Sequence, residues 1–79
     1  MLVLSQVLTD IARAIVDNPD SVKVTESTDS DGNVLLVLNV APEDVGMVIG
    51  RRGKIARAIR TVVKAAANSA GKKATVEIR

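Results

Sequence analysis

Val48-Ile49-Gly50-Arg51-Arg52-Gly53-Lys54 sets two arginines between two glycines, after a short apolar run and before a long amphipathic one. Glycine at positions 50 and 53 lets the backbone turn sharply and removes side chains that would block a close neighbour. The chain then enters a helix whose first N–H groups have no partner inside it, and such an end attracts anions, phosphate included. Arg51 and Arg52 stay protonated at any working pH. Helix, tight basic turn, helix is an arrangement suited to gripping a phosphate backbone.

Charge supports that reading. Residues 1–49 carry two basic and eight acidic side chains, a net charge of −6, whereas residues 50–79 carry nine basic and one acidic, a net charge of +8. Positive charge that begins inside a turn of this shape is the footprint of a polyanion binder. Composition removes other functions. Cysteine and histidine are absent, which excludes disulfides, thiol chemistry and the commonest general base and metal ligand. Tryptophan, tyrosine and phenylalanine are absent too, so bases cannot stack on aromatic rings. Glu43 and Asp44 are adjacent carboxylates, but in a first helical turn they read as partners of the helix dipole. No nucleophile–base pair is visible, so neither an enzyme nor a cofactor is expected.

The chain reads as six elements. Leu4, Val7, Leu8, Ile11 and Ile15 recur at helical spacing and predict a helix from about Leu2 to Asp17, stopped by Asn18-Pro19. Ser21 to Ser27 alternates as a strand with Val22 and Val24 inward. Asp29-Ser30-Asp31-Gly32-Asn33 is a turn, and Val34 to Val40 is a second strand with Leu36, Leu38 and Val40 inward and Leu35 and Val37 on the open face. Pro42 to Ile49 is a short helix that buries Val45, Val48 and Ile49. Ala41 is a poor cap for it, and Gly46 is expected to admit a close neighbour. Lys54 to Ser69 is a third helix, with Ile55, Ile59, Val62, Val63, Ala66, Ala67 and Ala70 as its apolar stripe. Gly71 ends it, and Lys73 to Arg79 is the last strand.

The order is α-β-β-α-α-β, an α+β fold. A right-handed strand–helix–helix–strand crossover returns the last strand parallel to the second. The expectation is one domain over residues 1–79 with a three-stranded mixed sheet and helices packed on one face. Met1 to Leu4 is too short to span a membrane and does not read as a signal peptide, so a cytoplasmic protein with no membrane partner is expected.

Val48-Ile49-Gly50-Arg51-Arg52-Gly53 followed by Ile59 resembles the core of a KH domain, a reader of single-stranded nucleic acid with a GXXG loop. Size, Pro42-Glu43-Asp44-Val45-Gly46 before the loop, and Ala58-Ile59-Arg60-Thr61-Val62-Val63 after it, resemble the bacterial stand-alone KH proteins of the KhpA family. The resemblance implies a type II KH fold and a non-enzymatic RNA-binding protein, an RNA chaperone or post-transcriptional regulator tied to cell-division and cell-wall control. It implies that Gly50, Arg51, Arg52 and Gly53 clamp the backbone of about four nucleotides. Lys54 and Arg57 would add phosphate contacts, with Val48 and Ile49 in the groove floor. Arg60 and Lys64 are expected only to solvate the helix. It also implies a partner: a second copy, or a larger KhpB-type KH chain, with Val62, Val63 and Ala66 as candidate contacts. The alternative is a protein-interaction module in which association, through these residues or through Leu35 and Val37, is primary and RNA secondary. One departure bears on geometry. The KH pattern has an aliphatic residue three positions after the second glycine, and here that residue is Ala56, with Ile55 before it. The third helix should therefore sit closer or slightly rotated.

Overall fold

The computed structural model describes residues 3–79. Helix α1 spans Leu4–Ile15, strand β1 Lys23–Thr28, β2 Val34–Asn39, helix α2 Val45–Ile49, α3 Lys54–Ser69 and β3 Ala74–Ile78. Single 3-10 turns at Pro19–Ser21, Pro42–Asp44 and Arg51–Gly53 lead into β1, α2 and α3. The expected element order therefore holds. The expected start of α1 at Leu2 lies outside the described residues. Its end comes at Ile15, because Val16 is already extended ahead of Asn18-Pro19. Ser21 belongs to the 3-10 turn, so β1 begins at Lys23.

The sheet order is β1-β2-β3. The outer strands flank β2, antiparallel on one side (Glu26 opposite Leu36) and parallel on the other (Leu36 opposite Val76). Alternation along β2 turns Val34, Leu36 and Leu38 into the core and leaves Leu35 and Val37 half-buried on the far face. Leu4, Leu8 and Ala12 of α1 and Ala56, Ile59, Val63 and Ala67 of α3 cover the inner face. Asp29 shapes the hairpin. Its carboxyl accepts hydrogen bonds from the Asn33 and Asp31 N–H groups at 2.9 Å. The Asn33 backbone bond outweighs the opposing effect of desolvation, and with the further bonds it holds that carboxyl below its ordinary pKa. At the other end of α3, Lys72 N–H bonds to Ala67 O at 2.8 Å and Gly71 N–H to Asn68 O at 3.0 Å, with Gly71 at φ 72°. This left-handed stop makes the link to β3 as short as the sequence implies.

Four expectations about facing change. The buried residues of α3 are Ala56, Ile59, Val63 and Ala67, whereas Ile55, Val62 and Ala70 are exposed. Ala56 itself enters the core at 2% exposure. Ile49 is exposed. Gly46 has no close neighbour, since a Cβ there would meet nothing within 4 Å. Asp44 is fully buried, so it is no solvated partner of the helix dipole.

Asp44 instead joins two corners of the chain. One of its oxygens accepts the Asn18 N–H at 2.9 Å and the Asn18 side-chain amide at 3.0 Å. The same amide reaches Glu43 Oε1 at 3.1 Å. The α1–β1 corner is thereby fastened to the start of α2, 26 residues on. Ala41, buried beside this corner, fills space and caps nothing. A chain of this size has a total stability of about 4–12 kcal/mol. Asp44→Ala is expected to remove about 3 kcal/mol of it, because two hydrogen bonds to a buried carboxyl are lost. Asp44→Asn keeps an acceptor toward Asn18 and should lose less than about 1 kcal/mol. Urea titration of both variants checks this. Equal losses would mean that charge, not the acceptor, holds the corner.

Candidate nucleic-acid interface

The turn after α2 is fixed by backbone conformation. Gly50 closes α2 through its N–H to Gly46 O at 2.9 Å and has φ 74° and ψ 174°, a conformation open to glycine and costly for other residues. A second constraint acts at the same residue. A Cβ on Gly50 would lie 2.3 Å from Ile55 Cγ1 and 2.9 Å from the Ile55 backbone nitrogen. The close neighbour expected for the glycines is therefore the first turn of α3 itself. Gly53 is left-handed as well, at φ 74° and ψ 16°, but a Cβ there would meet nothing. Between them Arg52 is held at φ 58° and ψ 25°. An L-residue in this region costs roughly 1–2 kcal/mol, and such strain concentrates where a loop has work to do. Both Arg51 and Arg52 are exposed.

Positive charge continues along α3. Lys54, Arg57, Arg60 and Lys64 are all exposed. Lys54, Arg57, Ala58, Thr61 and Val62 line an open concavity of about 390 Å³ directly after the turn. Arg60 does more than solvate the helix: its Nε donates to the Val76 carbonyl on β3 at 3.3 Å. Sequence reading missed this bond, and only the crossover that lays β3 beside α3 creates it. Among the apolar residues expected to floor a groove, Val48 is fully buried in the core and cannot touch a ligand. That assignment is corrected, and Val48 supports the turn from beneath. Ile49 at 36% exposure and Met47 at 40% are the accessible apolar side chains of α2. Met47 was not singled out in the sequence, because its place on a short helix gives no periodic signal.

The candidate association residues separate. Val63 is fully buried and belongs to the core, which corrects its assignment as a contact. Ala66 is partly buried against the core, and Val62 is 49% exposed. Val62 borders an apolar concavity of about 330 Å³ whose other walls are Ile11, Ile15, Ile55, Ala58 and Ile59. The participation of α1 was not legible in the sequence, since Ile11 and Ile15 read simply as core. Arg60 meets β3 on one flank of α3 and this apolar hollow faces α1 on the other, while the basic concavity of Lys54 and Arg57 adjoins the hollow and shares Ala58 and Val62 with it.

Comparison with known proteins gives a consistent picture. The family described as KhpA/KhpB, KH domain, matches residues 5–78. A relative named RNA-binding protein KhpA from Clostridium acetobutylicum is 52% identical over 75 residues, covering 95% of this chain and 99% of its own. Its namesake from Aquifex aeolicus is 40% identical over 78 residues, covering 99% of this chain and 98% of its own. A crystal structure of Aquifex aeolicus Era bound to GDP and aluminium fluoride superposes with TM-score 0.63 at 14% identity, over 95% of this chain and 29% of that one, a likeness of fold alone. With a family match along nearly its whole described length and relatives of equal size at such identity, the chain belongs to the KhpA/KhpB family of KH-domain proteins.

Proposed function

We propose that this protein binds single-stranded RNA without chemistry of its own, gripping the sugar-phosphate backbone at Gly50-Arg51-Arg52-Gly53. Lys54 and Arg57 extend the contact, and Ile49 borders it. The observation that carries the reading is the turn itself, in which two exposed arginines are held by the Gly50–Ile55 contact on a backbone that strains Arg52. The relatives named as RNA-binding proteins support it. The contacts are cationic and the chain has no aromatic residue, so the loop holds phosphate and reads little sequence. That suits a low-specificity RNA chaperone or post-transcriptional regulator working in the cytoplasm. No described helix is long and apolar enough to cross a membrane.

A second reading, association, rests on the apolar hollow between α1 and α3. One small domain with so few phosphate contacts binds weakly, and two joined domains gain through effective concentration. The hollow is suited to a second copy of the chain or to a KhpB-type KH chain. Val62 and Ala66 remain the association candidates, joined by Ile55 and Ala58.

Arg51→Asp combined with Arg52→Asp should weaken RNA binding at least about 100-fold, the loss of two charge-assisted contacts. Melting should stay near wild type, since both side chains are exposed and Asp tolerates the left-handed region. Unchanged affinity in the folded variant would remove the loop as the site. With about three to five phosphates engaged, the log–log salt slope for single strands should be about −2 to −3.5. A flat response in a filter or anisotropy titration would contradict a backbone grip. Val62→Lys should leave a folded protein that sediments as a monomer, whereas Val63→Lys should unfold it by burying a charge. A wild-type protein that stays monomeric at high concentration and ignores KhpB-type chains would refute association.

A further inference from the structure

Arg60 stands apart from the other cations of α3 because the fold fixes it in place. β3 is an edge strand of the sheet. Just beyond its two ends, Lys73 O and both backbone groups of Arg79 bond toward β2. By alternation, Ala74, Val76 and Ile78 turn their N–H and C=O groups to the open edge. Arg60 Nε takes the Val76 carbonyl of that edge at 3.3 Å. Its two Nη nitrogens have no protein partner among the described residues. The guanidinium is thus anchored by one donor with the other donors unspent, six residues and about 9 Å along the helix from Lys54.

We infer that Arg60 reads a base. This rests on the RNA-binding reading above. A strand gripped at the turn and running along the basic flank of α3 brings its bases to the α3–β3 border within about two nucleotides of the loop. A lysine there would be a mobile point charge, whereas an anchored guanidinium presents a planar fork of donors in fixed orientation. The fork matches a base edge that offers two adjacent acceptors. Guanine does so with O6 and N7, and cytosine with O2 and N3. Adenine sets a donor beside each acceptor, and uracil places its N3–H between its two carbonyls. Binding otherwise indifferent to sequence therefore has one position that favours guanine or cytosine over adenine and uracil.

The test uses labelled octauridine and three versions carrying one central guanine, cytosine or adenine. Wild-type protein should bind the guanine or the cytosine octamer at least about fivefold tighter than octauridine, with adenine no better than uracil. Which of the two wins identifies the edge that is read. Arg60→Lys keeps the charge and should drop the preference below about twofold, while octauridine affinity stays within about threefold. Arg60→Gln keeps one donor for the Val76 carbonyl without the fork. It should lose the preference too, and it serves if the lysine variant melts early. A wild-type preference under twofold, a preference for adenine or uracil, or one that survives both substitutions overturns the inference. So does an equal loss on all octamers with a salt slope shallower by about 0.7, which marks a phosphate contact. The doubly substituted Arg51→Asp, Arg52→Asp protein separates the two ideas. Undiminished octauridine binding by it refutes the loop as the site, whereas the Arg60 outcomes concern only the base.

Discussion

The space where Gly50 has no side chain is occupied by Ile55, and the geometry of the Gly50–Gly53 turn depends on that contact. Any Cβ at position 50 would overlap the Ile55 side chain and crowd its backbone nitrogen. The first turn of α3 can therefore close onto the end of α2 only over a glycine. The same contact fixes the rotation of α3. With Ile55 spent on the turn, the next residue faces the core, and a small side chain, Ala56, lets the helix approach. Ile59, Val63 and Ala67 then follow at helical spacing beneath it. A feature that looks local, a GXXG turn, is thus the origin of the register of the longest helix.

Once its rotation is fixed, α3 has three faces with separate duties. One is buried. One is basic and meets β3 through Arg60. One is apolar, carries Ile55, Ala58 and Val62, and faces Ile11 and Ile15 of α1. Because the hollow adjoins the basic concavity of Lys54 and Arg57, sharing Ala58 and Val62 with it, a partner seated there would sit beside the basic turn. Two such domains could then act on one strand, which turns two weak grips into a firm one through effective concentration.

The elements were legible because they rest on local signals: alternation in β2, 3.6-residue spacing in α1, glycine and proline at the breaks. The type II order and the basic turn followed from them. Facing in α3 was less legible. Hydropathy ranks isoleucine above alanine, so Ile55 and Val62 look more like core than Ala56. The deciding fact is steric and lies in the emptiness of Gly50. Asp44 shows the same limit. A carboxylate in a first helical turn reads as a dipole partner, yet its bonds run to Asn18, 26 residues away. Arg60 reads as surface for the same reason, since the Val76 carbonyl reaches it only after the crossover brings β3 alongside.

The Asp44 and Gly50 contacts converge on the two ends of α2, and its length explains why. Five residues cannot hold a helix by themselves, because nucleation fixes several residues for each hydrogen bond gained. Tertiary contact must therefore set its position, at both ends and from beneath. Asn18 holds Asp44 at its start, Val48 fills the core under its middle, and Ile55 closes on Gly50 at its end. The strained Arg52 follows immediately, and its conformation costs free energy that the arrangement as a whole must supply. The turn that carries the two exposed arginines is thus held by the core as well as by its own glycines. The three anchors come from the α1–β1 corner, the sheet-facing core and α3, so the turn takes this pose only when the whole domain forms.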